Sequence, residues 1–133
     1  MSRLSERIEN FNRAFNLYTS VRSEYLKSIT DTTKLAVTQA YEIVIELGWK
    51  VLKDYLSEKG IKVLTPIDTV KEAFSAEIIE NGEIWIDMIK DRNSSSLEYN
   101  MEKADEIIQK AASAYYEELD RFHKQLGALN GRQ

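Results

Sequence analysis

The segment DRNSSSLEYN, residues 91–100, gathers the side chains most able to do chemistry in this sequence. Arg92 offers a planar, permanently charged fork that suits phosphate or carboxylate. Asn93 and the three following serines offer neutral donors and acceptors. Tyr99 adds a phenol and Leu97 sits among them without any polar group. Such serines, with Asn93, compete with the helical backbone for hydrogen bonds and predict a break between helices. Two readings follow. The break presents Arg92 and Tyr99 as a working site, or it is a plain connection in which Arg92 only complements a helix C-terminus.

Other chemistry is sparser. Glu42 and Glu46 lie one helical turn apart and share a face. A di-iron centre in a bundle needs Glu-x-x-His elements on further helices. The chain has a single histidine, His123, and no such element, so these glutamates are expected to pair with cations or with backbone donors. His123 stands among Arg121, Lys124 and Gln125 and reads as a solvated residue. No nucleophile elbow and no phosphate-cradling glycine loop are present. With no cysteine, disulfides and thiolate metal sites are excluded. No cofactor and no metal are expected.

These residues need positions, and hydrophobic periodicity supplies them. Leu4, Ile8, Phe11, Phe15, Tyr18, Val21 and Tyr25 recur at steps of three and four, the stripe of an amphipathic helix. Thr30 and Asp31 offer caps for a second helix, striped by Leu35, Ala40, Tyr41, Val44, Leu47, Val51, Leu52, Tyr55 and Leu56 and stopped near Gly60. Thr65-Pro66 opens a third, carrying Val70, Ala73, Phe74 and Ile78. Asn81-Gly82 is a turn before a short helix from Glu83 to Lys90. From Met101 to Leu126 one stripe resumes through Ile107, Ala111, Tyr115, Leu119 and Phe122, and the tail from Gly127 is expected to fray.

Helices with short connections predict an all-α, up-and-down antiparallel bundle, four helices with an extra short one. The length suits a single domain over 1–133. Apolar surface left over on such a bundle suggests a homodimer. The net charge of −4 argues against broad phosphate tracking but leaves room for a small basic site. There is no signal-peptide pattern and no apolar run of membrane-spanning length, so a cytoplasmic protein is expected.

The stretches YEIVIELGWKVLKDYL, a proline-led helix ending KEAFSAEII, and GEIWIDMIKDRNSSSLEY, in that order, resemble the HEPN proteins paired with minimal nucleotidyltransferases. An older description of these is nucleotidyltransferase substrate-binding proteins. The resemblance covers about Ile8 to Phe122. It implies a symmetric homodimer and a small nucleotidyltransferase antitoxin as partner. It also implies a toxin role as a metal-independent ribonuclease acting on RNA. That family's signature is arginine, four residues, histidine, one residue, tyrosine. Arg92 and Tyr99 match it, Asn93 matches the polar residue that follows the arginine, and Leu97 occupies the histidine position.

The departure has a chemical consequence. Cleavage by the ribose 2′-OH needs proton transfer near neutral pH and a cation for the developing phosphorane charge. Arg92 can supply the cation, but leucine cannot titrate, and the lost acid–base help is worth ~10²–10⁴-fold. Leu97 is then a natural loss of activity or an inactivating replacement, and a buried core leucine is compatible with both. The resemblance further implies that Tyr99 can accept adenylylation, which would place a phosphate on Arg92. The competing reading is a non-catalytic subunit that presents substrate to a separate nucleotidyltransferase.

Overall fold

A computed structural model of the chain describes residues 3–93 and 101–130, with side chains described from 3 to 93 and from 102 to 127. Among the described residues there are six helices and no strand: α1 (Arg3–Lys27), α2 (Asp31–Glu58), α3 (Pro66–Ser75), α4 (Gly82–Asn93), α5 (Met101–Ala112) and α6 (Ala114–Asn130).

Their ends follow from local chemistry. Thr30 caps α2 with a reciprocal pair: its hydroxyl accepts from the Thr33 amide at 3.1 Å, and its own amide donates to the Thr33 hydroxyl at 2.9 Å. At the other end Gly60 takes a left-handed φ of 85°, and the Gly60 and Ile61 amides close back onto the carbonyls of Ser57 and Leu56. Thr65 caps α3 through the Asp68 amide, with Pro66 in the first turn. α3 stops earlier than its apolar stripe predicts. Glu77 enters the left-handed region at φ 60° and the Ile78 amide returns to the Ala73 carbonyl, so Ile78 seals the end of the helix rather than extending it.

α1 and α2 pack along their lengths and run antiparallel, because Arg7 near the start of α1 bonds Asp54 near the end of α2 at 2.9 Å. α4 runs against α2: Trp85 lies over Gly48, while the Met88 carbonyl accepts from the Tyr41 hydroxyl. α5 and α6 run with α2, from Lys34–Asp105 at one end to a small pocket shared by Leu4, Leu52 and Leu126 at the other. The four long courses go up, down, up and down, with α3 as a short extra helix between α2 and α4. Phe11, Tyr18, Tyr41, Trp85 and Phe122 are among the largest fully buried side chains in the core.

The stripe from Met101 to Leu126 is two helices rather than one. The break falls at Ser113, where the Ala111 carbonyl accepts from the Tyr18 hydroxyl and the Ala112 carbonyl from Arg22 Nε at 2.6 Å. α1 thus satisfies carbonyls around the turn. Two stripe residues also lie outside the core: Leu35 is 67% exposed and Phe74 51%. Helix α6 continues through Gly127 to Asn130, past the expected start of fraying.

Candidate functional site

The last turn of α4 carries Arg92 and Asn93, two of the candidate site residues. Asn81 caps the helix by accepting from the Ile84 amide at 3.2 Å. Trp85 anchors its middle: it is fully buried, and its indole N–H donates to Glu118 at 3.1 Å. Glu118 is itself buried and is compensated by Arg121. Asp91 then fixes the C-terminal turn. Its side chain is 10% exposed, accepts from the Tyr115 hydroxyl at 2.5 Å, and lies 3.8 Å from Lys103 and 3.9 Å from Lys110. Burial and the neighbouring Asp91 charge push the Tyr115 phenol well above its ordinary range.

With that turn fixed, Arg92 and Asn93 are helical and do not belong to the break, which is a correction to the sequence reading. Asn93 is exposed and Arg92 is half-buried. A helical side chain leans toward the N-terminus of its own helix, and Arg92 accordingly meets α2. Its Nε lies 3.3 Å from Glu46 Oε2. That contact satisfies an ion-pair distance but not hydrogen-bond alignment, since Nε is buried with no hydrogen-bond partner. The pair is therefore Coulombic and loosely oriented. Arg7, Arg22 and Arg121 differ, each donating a formed hydrogen bond.

The α2 side of the contact is a small acidic and aromatic cluster. Glu46 accepts from the Trp49 indole at 3.2 Å and pairs with Lys50 at 3.3 Å. The expectation that this glutamate pairs with cations holds. Burial favours the neutral form and pushes the pKa up, but the hydrogen bonds from Trp49 and Lys50 and the Arg92 and Lys50 charges outweigh burial and hold the carboxyl below its usual range. Glu42, one turn earlier, goes the other way: burial pushes it up, and Arg92 offsets only part of that. Two carboxylates facing one guanidinium thus have opposed environments.

Leu97 and Tyr99 lie outside the described residues, so of the four signature positions the structure places Arg92 and Asn93. His123 is not the solvated residue expected. It is half-buried on α6 and stacks on Phe15 of α1, ring centroids 4.6 Å apart. Among the described residues no group of three or more His, Cys, Asp or Glu is arranged to hold a metal ion. Asp91 went unremarked in the sequence because its partner Tyr115 is 24 residues away and no local pattern joins them.

The model for nucleotidyltransferase substrate binding protein like matches residues 6–128. The chain belongs to this family. It is the one that the motif order around WIDMIKDRN predicts. Among curated proteins none matches the chain. No helix of the described residues is long and apolar enough to cross a membrane.

Proposed function

We propose that this chain is the HEPN-type member of a two-protein toxin–antitoxin module, cytoplasmic, with a small nucleotidyltransferase as its partner. In this reading Arg92 holds an RNA phosphate, Asn93 orients it, and Tyr99 is the residue the partner modifies. Leu97 in the histidine position leaves the ribonuclease weak or inactive. The family supplies the link to a nucleotidyltransferase.

The observation that carries the reading is the state of Arg92. It is half-buried, its Nε has no hydrogen-bond partner, and its contact with Glu46 is a Coulombic pair about one-third exposed on both sides. Pairs of that exposure are worth ~0–1 kcal/mol, so a phosphate can displace the carboxylate at little cost. Phosphate can take both arms of the fork, as a well-aligned carboxylate can, whereas Glu46 makes no aligned hydrogen bond to Nε. An arginine kept only for stability would be hydrogen-bonded as Arg7 is.

A homodimer fits the apolar groove between α2 and α5. There Leu35 stands exposed beside Thr38, Ala104 and Ile108. The second reading, a non-catalytic subunit presenting substrate to a separate nucleotidyltransferase, is favoured by Leu97 itself, which cannot transfer a proton.

The test is RNA cleavage in metal-free buffer by the native protein, Leu97→His, and Leu97→His with Arg92→Ala. Cleavage gained with the histidine and lost again with the alanine identifies a ribonuclease site disabled at Leu97. If all three are inert while the native protein still binds a nucleotidyltransferase, the ribonuclease assignment fails and the subunit reading stands.

A further inference from the structure

On an acidic chain of net charge −4, one cleft is basic. Arg3 and Arg7 of α1, Lys53 and Ser57 of α2, and Lys62 of the following connector line a cleft of ≈ 320 Å³ together with Asp54. Four cations meet a single carboxylate there, and that carboxylate is already bonded to Arg7 at 2.9 Å. Among the described residues Arg3, Lys53 and Lys62 have no ion-pair partner. Like charges gathered without counter-charges oppose folding, and an anionic ligand relieves that.

The cleft and the Arg92 contact lie along the same face of α2. Glu46, Lys50, Lys53 and Ser57 follow one another at steps of four, three and four, which keeps them on one face of α2. Glu46 faces Arg92 at one end, and Lys53 and Ser57 line the basic cleft at the other. Trp49 lies beside this row, half-buried. Its indole N–H is fixed by Glu46, and the Lys53 ammonium sits 5.9 Å from its ring. Eleven residues of helix span about 16 Å. That matches roughly five stacked nucleotides at ~3.4 Å each.

We propose that this face of α2, from Lys50 through Lys53 to the Arg3–Lys62 cleft, carries a single strand of RNA leading away from Arg92. The strand's phosphates meet Lys50, Lys53, Lys62 and Arg3, and one base rests on the accessible part of the Trp49 ring. Basic grooves with an aromatic platform bind single strands in this way without reading sequence. An acidic protein surface would also meet the charge, but it has no use for the aromatic ring or for a shared helix face with a phosphate-holding arginine. The proposal rests on the reading of Arg92 as a phosphate-binding group.

The experiment compares a trinucleotide of uridine with an oligouridylate of about 12 nucleotides, a length within the range of single-strand sites. Fluorescence anisotropy is read in metal-free buffer between about 50 and 200 mM salt. The longer strand is expected to bind the native protein more tightly. Lys53→Ala with Lys62→Ala is expected to lower its affinity roughly tenfold and to reduce the log–log salt slope by ~1.4, two phosphate contacts on a single strand. The trinucleotide should be unaffected, and Lys53→Arg with Lys62→Arg should restore binding. Equal thermal melts of the variants exclude unfolding as the cause.

Two results overturn the track. In one, both lengths bind equally and the double variant changes nothing, which leaves Arg92 as a phosphate site on its own. In the other, the double variant keeps full RNA affinity but loses an acidic partner protein, so that the face belongs to a protein interface. If neither length binds the native protein, the Arg92 reading itself fails and takes this one with it.

Discussion

Tyr115 of α6 donates to Asp91 of α4 at 2.5 Å, one residue before Arg92. The bond ties the end of α4 to the helix that follows the break at Ser113, so the direction in which Arg92 leaves its helix is set from α6. Replacing Tyr115 by phenylalanine keeps the ring, which stacks on Tyr41, and removes the donor. Asp91, nearly buried, is then left with Lys103 and Lys110 at 3.8 and 3.9 Å. An acceptor stripped of its partner costs ~1–3 kcal/mol. Urea denaturation is expected to show a loss in that range. A loss below ~0.5 kcal/mol would mean that the lysines or water satisfy Asp91 fully.

Glu42 gives a pH dependence with a definite sign. Burial is the largest influence and raises its folded pKa above the unfolded value, with Arg92 opposing. The protonated form is therefore the one the fold prefers, and the stability it contributes is lost as the pH rises through the carboxylate range. Glu42→Gln imitates the protonated form at every pH. The variant is expected to be more stable than the native protein at neutral pH. The two should converge as the pH falls below the ordinary glutamate value of 4.5. Chemical denaturation at pH 7 and near pH 4 checks this. A gap that persists at the lower pH would assign the effect to packing.

The helices and their caps were legible because their signals are local. Thr30, Thr65-Pro66 and Asn81 act within a few residues and each opens a helix, and Gly60 closes one in the same local way. The all-helical fold followed from the stripes. What was not legible depends on distant partners. The break at Ser113 comes with carbonyl capture by Tyr18, 93 residues away from Ala111, and by Arg22, 90 residues from Ala112. Periodicity continues across such a break because the same face stays buried. Leu35 fits a helical stripe equally well, yet it lines a surface groove with Ala104 and Ile108. For the site, residue types named Arg92, but its helical placement and its contact with Glu46 needed the packing of α4 on α2. His123 has polar sequence neighbours, while its ring finds Phe15 and Phe11 on another helix, a contact that no local pattern announces.

Glu77 is the clearest local mismatch between sequence and backbone. It holds φ 60° at the position that ends α3, a position usually given to glycine. An L residue in that region costs ~1–2 kcal/mol relative to the right-handed region, and glycine does not carry that cost. The side chain is exposed and no hydrogen bond or ion pair involves it among the described residues. Glu77→Gly is therefore expected to stabilise the protein by ~0.5–1 kcal/mol, after allowing for the greater freedom of glycine in the unfolded chain. A thermal melt that moves downward would show that the glutamate side chain holds the turn.

Glu46 decides how available Arg92 is. Its carboxylate lies 3.3 Å from Arg92 Nε and is the nearest anionic competitor for any phosphate arriving there. Glu46→Gln keeps an acceptor for the Trp49 indole and removes the charge. Because both partners are about one-third exposed, stability should fall by no more than ~1 kcal/mol. Removing one unit of repulsion near the phosphate is worth about 1 kcal/mol at 4 Å in a water-like dielectric. That corresponds to roughly fivefold tighter binding of a short oligouridylate, measured by anisotropy in metal-free buffer. Glu46→Asp, which keeps the charge on a shorter arm, should not give the gain. If affinity falls in the glutamine variant, Glu46 aims the guanidinium and does not compete for it. The carboxylate would then be a positioning residue, whose loss Arg92→Lys could not worsen as much as it does in the native protein.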